Sequence, residues 1–443
     1  MSRLRNDRSP SVPRLRHLRT YWVVVILCII GLWPFGGLTI PHLIFFGALS
    51  MGLYASYSRY ILPLIVYFSM ILLYWIVVPF LQDRIGVGYY TWRGDVPDFG
   101  PMALLFVMTH FLGILAGFQF KRISLSHKEI PELRFSFVGV AFILALLVAL
   151  MAFVGFETIM LPRVEQETGE AQNYVILLRN IAKILPAFLV AYFILEADNG
   201  LKKNTRVAIF ILLASCLLIL SNPVNTSRFL SLFGLFVVIL TYSIKSSRLS
   251  VLAWLLAFAP AYAITLLGIT SAMRSGIQKV DLTRAFQSLQ SLEFSSYSIF
   301  LDALKLDSFS QGNYLFSHLF IIVPRAIWPG KAESIGIYTA ERSGYVYNNV
   351  GLNSFFNSYA DFGFVGLFLF SMLFGVLAKN LNPTFELASF RNRRFMYGVL
   401  FTGMTPMFFR GDLSTAMLAL YPAILVYEAI RFSTRFRLMS GVR

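Results

Sequence analysis

The sequence predicts an all-α polytopic membrane protein of about 12 transmembrane helices, because apolar stretches of roughly 20 residues, enough to span a bilayer core, recur along it. Two further observations agree. Of the 443 residues 57% are hydrophobic, Phe alone contributing 43, and only 14% are charged. A water-soluble chain of this size could not cover so much apolar surface. The basic residues also crowd into alternate connections between the apolar stretches.

Taken in order, the spans fall near 21–37, 38–55, 60–81, 101–120, 135–156, 174–195, 207–222, 229–244, 250–270, 362–378, 395–409 and 413–430. The first follows an Arg-rich segment and resembles a secretory signal. Trp33-Pro34-Phe35-Gly36 stands where small residues would mark cleavage, so an uncleaved first span is expected. With these spans, Arg3 to Arg19, Arg59, Lys121 to Arg134, Lys202 to Arg206, Lys245, Arg248, Lys379 to Arg394 and Arg431 to Arg443 share one side. The positive-inside rule makes that side cytoplasmic, with both termini on it. The formal net charge of +16 is thereby accounted for by topology and gives no support to nucleic-acid binding.

The organisation expected is a basic cytoplasmic segment at 1–20, a single polytopic membrane domain at 21–430, and a basic cytoplasmic tail at 431–443. No repeat of fixed period and no low-complexity linker divides it. The loop at 271–352, on the outer side, is far longer than the usual ~4–6 residues of a connection, and loops of that kind carry function. Within it Leu282, Phe286, Leu289 and Leu292 recur at helical spacing amid Gln and Ser, as in an amphipathic surface helix. The run from Tyr314 to Val323 is too short to span and is closed by Pro324, so it is expected to dip into the interface or cap a cavity. A second outer loop carries Tyr89, Tyr90, Trp92 and Arg93, which suit an interfacial belt or sugar stacking.

Charged groups near apolar spans are costly, so each needs a reason. Arg179 and Lys183, four apart, share a helix face and either snorkel outward or line a cavity. Arg228 follows the hairpin from Asn222 to Ser227, Arg274 lies just past the ninth span, and Arg410 sits in Phe409-Arg410-Gly411-Asp412. Arg325 lies in Pro324-Arg325-Ala326-Ile327-Trp328-Pro329-Gly330-Lys331. Any one of these fits a helix cap or a headgroup contact. Together, several arginines on one side suit a multiply charged anion such as a diphosphate. Neither a metal nor another cofactor is expected: His17, His42, His110, His127 and His318 are scattered, Cys28 and Cys216 fall inside spans, and no Walker A pattern occurs.

These residues resemble the Wzy-type O-antigen and oligosaccharide-repeat-unit polymerases, which are related to O-antigen ligases. The resemblance is architectural, in many spans and one large outer loop in the C-terminal half. It is also local. Asn225-Thr226-Ser227-Arg228 is similar to the family's short Ser-Arg turn, and the segment from Pro324 to Lys331 to its Pro-Arg-x-x-Trp-Pro-x-Lys pattern. Arg325 and Gly336 fit an Arg-x10-Gly spacing. Tyr359-Ala360-Asp361-Phe362-Gly363-Phe364-Val365-Gly366 resembles the family's Tyr-x-x-Phe-Gly-x-x-Gly lead into a span, although many relatives have Glu where this chain has Asn357.

The resemblance implies a GT-C-like, metal-independent glycosyltransferase of the bacterial inner membrane, with its site facing the periplasm. Its substrates would be undecaprenyl-diphosphate-linked glycans, and a flippase and a chain-length regulator would work beside it. A hydroxyl of one glycan attacks the anomeric carbon of another, and undecaprenyl diphosphate leaves. Arg228, Arg274 and Arg325, with Arg410, Arg179 and Lys183 behind them, would stabilise the departing charge. His318, Glu333, Glu341 or Asp361 would take the acceptor's proton. Two other readings stand beside this one. A lipid-linked-oligosaccharide flippase or transporter would show related halves and a midplane site; an O-antigen ligase would share the donor and change the acceptor.

Overall fold

The computed structural model describes residues 47–52, 56, 61–79, 82, 100–120, 137–156, 173–196, 203–221, 228–246, 295–305, 310–345 and 350–433, and among these no strand occurs. Helix α1 (Leu62–Leu72) runs on into a π-helical turn, Leu73–Val77. α2 (Pro101–Gln119) opens on a proline, whose missing N–H costs nothing at the first helical position. α3 (Phe137–Val154), α4 (Asn173–Glu196), α5 (Lys203–Leu220) and α6 (Arg228–Lys245) follow. Among the described residues the long loop contributes three short helices, α7 (Ser296–Ala303), α8 (Asn313–Leu319) and α9 (Ile335–Arg342). α10 (Phe355–Asn380), a 3-10 turn at Phe385–Leu387, α11 (Arg393–Arg410) and α12 (Leu413–Ser433) complete the described chain.

The chain is thus an all-helical, multi-pass membrane protein, but the expectation of about 12 spans in a GT-C-like bundle is not met. Among the described residues four helices are long and apolar enough to cross a bilayer: Pro101–Gln119, Leu177–Glu196, Phe355–Asn380 and Leu413–Phe432. Leu62–Ile76, Ile143–Phe153, Asn204–Leu220 and Leu230–Lys245 are apolar but shorter. The difference lies in the length and composition of the helices that form. α11, read as a span at 395–409, falls short on composition: its 18 residues include Arg393, Arg394 and Arg410 along with Thr402, Thr405 and Pro406. The spans read at 21–37 and 250–270, most of the one at 38–55, and the amphipathic stretch from Leu282 to Leu292 lie outside the described residues.

In lipid, helices associate through close packing and hydrogen bonds, since tails are as apolar as the side chains. The α2–α10 pair shows how. Gly113 and Gly117, four apart on α2, face Ser371 and Gly375, four apart on α10. A Cβ on Gly117 would lie 2.2 Å from the Met372 carbonyl oxygen, and one on Gly375 2.4 Å from that of Ile114. On the same face of α2, His110 shares hydrogen bonds with Ser371 Oγ at 2.6 Å and Tyr67 Oη at 2.7 Å, which ties α10 and α1 to it.

The two ends of the bundle differ chemically. At one end Lys245 Nζ donates to the carbonyls of Ile194 (2.5 Å) and Leu195 (3.0 Å), and Lys379 Nζ donates to those of Phe118 and Phe120 at 2.7 Å each. Each ammonium thus meets the orphan carbonyls and negative dipole end of a neighbouring helix. Glu428 there accepts from Arg393, Arg431 and Tyr397. The opposite end gathers the start of α10, the end of α11 and the start of α12, with α8 and α9 packed on them.

Candidate functional site

At that second end a polar cluster forms around α8. Its first turn leaves backbone N–H groups without helical partners, and the buried carboxylate of Asp361 on α10 accepts from two of them, Tyr314 N at 3.1 Å and Leu315 N at 2.6 Å. Ser310 Oγ donates to the same carboxylate. Beyond the other end of α8, the buried ammonium of Lys331 donates to the carbonyls of Phe320 (3.4 Å), Ile321 (2.7 Å) and Val323 (3.0 Å). An acid therefore sits at the positive end of this short helix and a cation beyond its negative end, the arrangement its dipole favours.

Between them stands His318, buried, with Nδ1 2.6 Å from the amide nitrogen of Asn357 on α10. Asn357 Oδ1 in turn accepts from Leu413 N, the first residue of α12. Burial is the main cause that holds the His318 imidazole below its ordinary pKa; the Lys331 charge adds to it, while Asp412, Asp361 and a hydrogen bond to the Tyr314 backbone oppose it. Burial, and then the Arg325 guanidinium, likewise lowers the Lys331 amine.

The geometry depends on a break in α10. Gly363 has φ 62° and ψ −149°, a conformation closed to residues with a side chain. The chain before it can therefore bend over α8 and present Asn357 and Asp361, while the chain after it continues as an apolar helix. Asp412 closes the cluster on the α12 side. It accepts from Thr415 N at 3.1 Å as an N-cap, and Ser334 Oγ, itself the N-cap of α9, donates to it.

Arg325 is exposed, and its guanidinium donates to the Lys331 carbonyl at 2.7 Å. Arg410 is buried and donates to the Gly351 carbonyl at 3.1 Å. Arg228 opens α6 at the end opposite Lys245, which brings its backbone to the same end of the bundle. Its side chain and the whole of Arg274 lie outside the described residues. Arg179 is half-buried, and Lys183 is 2% exposed, so Lys183 faces the protein interior instead of snorkelling outward. Glu333 and Glu341 are exposed, the first before α9 and the second in its last turn.

The cluster thus joins His318 and Asp361 around α8, with Lys331, Asn357 and Asp412 as members that sequence reading did not select. Asp412 had a signal: an acid directly before an apolar helical run. Comparison of the chain with protein-family models, with curated proteins and with solved structures finds no match.

Proposed function

We propose that this protein is a polysaccharide repeat-unit polymerase: a glycosyltransferase that joins undecaprenyl-diphosphate-linked oligosaccharides at the periplasmic face of the bacterial inner membrane. The observation that carries the reading is Arg325, an exposed guanidinium on a loop whose backbone is tied down by Lys331 and whose supporting helix is held by Asp361. A donor held in place before the reaction stabilises developing charge most effectively, since nothing has to reorganise as the bond breaks.

In this reading an acceptor hydroxyl attacks the anomeric carbon of the donor glycan. The carbon–oxygen bond to the diphosphate breaks, its electrons pass to undecaprenyl diphosphate, and the hydroxyl proton passes to a carboxylate. His318 and Asp361 are buried and bonded within the protein, so they hold the loop. Of the four candidate bases, Glu333 and Glu341 are exposed and open to an acceptor. Arg228 and Arg274 assist at the diphosphate, and Arg410 positions the segment at Gly351.

The test is the surface glycan of a deletion strain together with purified protein given lipid-linked repeat units in excess chelator. Single-unit glycan in the strain and polymer in the tube support the reading. Complete loss of surface glycan points to a flippase. Lipid-linked polymer left unattached points to a ligase, and activity restored only by Mg²⁺ or Mn²⁺ overturns metal independence.

A further inference from the structure

The loop from Phe320 to Lys331 is built to leave water. Its backbone turns back on itself: Val323 N donates to the Phe320 carbonyl at 3.0 Å, Ile327 N and Trp328 N to that of Pro324 at 3.0 and 3.1 Å, and Lys331 N to that of Trp328 at 3.2 Å. The Lys331 ammonium covers the carbonyls of Phe320, Ile321 and Val323 from inside. Irregular backbone enters a membrane only where its polar groups already have partners. In this loop the N–H groups of Val323, Ile327, Trp328 and Lys331 and the carbonyls of Phe320, Ile321, Val323, Pro324 and Trp328 are satisfied within the protein, as suits the hydrated interface rather than the hydrocarbon. The loop also exposes large apolar side chains, among them Phe320, Ile322 and Ile327, the last 75% exposed.

Its position agrees. On α10, Phe362, Val365, Leu369 and Leu373 form an exposed apolar stripe at helical spacing, the face of a span-length helix turned away from the protein. The stripe continues onto α8, because a Cβ on Gly312 would lie 3.0 Å from both the Phe362 and the Phe316 rings. Tyr421 Oη donates to the Leu319 carbonyl. Tyr421 lies about 12 Å along α12 from its first residue, at a rise of 1.5 Å per residue. The end of α8 therefore runs beside the apolar flank of α12, not above it.

We infer that the loop from Phe320 to Lys331 inserts into the bilayer interface, with Ile322 and Ile327 at the acyl boundary and Arg325 on phospholipid phosphates. The charge is complementary: Arg325 is exposed, with one contact to the Lys331 carbonyl, and a guanidinium carries five N–H donors suited to phosphate oxygens. Trp328, half-buried in the same loop, belongs to the residue type that favours this depth. The inference stands apart from the glycosyltransferase reading, in which the donor's lipid-linked diphosphate takes the place of a phospholipid phosphate at Arg325 during turnover.

The experiment uses the full chain without Cys28 and Cys216, reconstituted in phosphatidylcholine vesicles with and without phosphatidylglycerol. An environment-sensitive fluorophore is placed in turn at Ile327→Cys, Val365→Cys and Glu341→Cys. The label at 327 should be quenched by lipids with a nitroxide near the headgroup, the one at 365 by lipids with a deep nitroxide, and the one at 341 by aqueous iodide. In phosphatidylglycerol vesicles Arg325→Ala should lower the ratio of inserted to free label at 327 about 5-fold, the factor one basic residue contributes at an anionic surface. Iodide quenching at 327 equal to that at 341 overturns the insertion. An unchanged ratio in Arg325→Ala overturns the phosphate contact.

Discussion

The side-chain amide of Asn357 donates to Nδ1 of His318 over 2.6 Å, and its oxygen accepts from the first N–H of α12, so one residue links α8, α10 and α12. Asn357→Asp should reverse the pairing. A buried carboxylate beside the imidazole favours its protonated form, so the His318 pKa should rise, read from its ring resonances in labelled protein. An unchanged titration would show that the two side chains do not share this bond in solution.

The wild-type imidazole sets a pH dependence of its own. Its folded pKa lies below the ordinary 6.5, so between the two values the unfolded chain binds the extra proton. Stability from this group is complete above about pH 6.5 and falls as pH drops toward the folded value, by at most about 1.4 kcal/mol per unit. His318→Gln should remove that slope from the thermal midpoint in detergent. The same slope in both proteins would assign it to another group.

Two glycines should resist substitution for different reasons. Gly117→Leu puts a side chain where the Met372 carbonyl oxygen lies 2.2 Å from a Cβ, so α2 and α10 must separate. Gly363→Ala forces a side chain into a conformation costing about 1–3 kcal/mol. Both should lower the thermal midpoint, whereas Gly330→Ala, with open space at its Cβ, should leave it unchanged.

For the proposed chemistry, Arg325→Ala should reduce polymer formation by ~10²–10³, as loss of a preorganised donor does. Arg325→Lys should recover only part of it, because an ammonium lacks the planar fork. Arg228→Ala and Arg274→Ala should behave alike if the three arginines hold one diphosphate. Normal polymer from all three variants at normal abundance would falsify the shared site.

Topology is checked by cysteine labelling. Positions 203 and 393 should react from the cytoplasm, and 279 and 341 from outside. Lys331 is a poor probe despite its place in the outer loop, because its side chain is buried. Labelling of 341 from the cytoplasm alone would invert the arrangement.

The sequence by itself determined the class. A hydrophobic content of 57% and the uneven placement of Lys and Arg reflect transfer of side chains into lipid, which depends on composition along the chain and needs no knowledge of contacts. It also marked the loop that carries Arg325 and the glycine pattern at Gly363. The structure decided how far each apolar stretch runs as an unbroken helix, because helix ends are set by the residues that cap and break them. It alone turned Lys183 inward, set His318 against Asn357 across 39 positions, and joined His110 to Ser371 across 261. Such partners are chosen by how helices pack, where a shift of one turn would exchange every neighbour, and no local pattern in the chain records that choice.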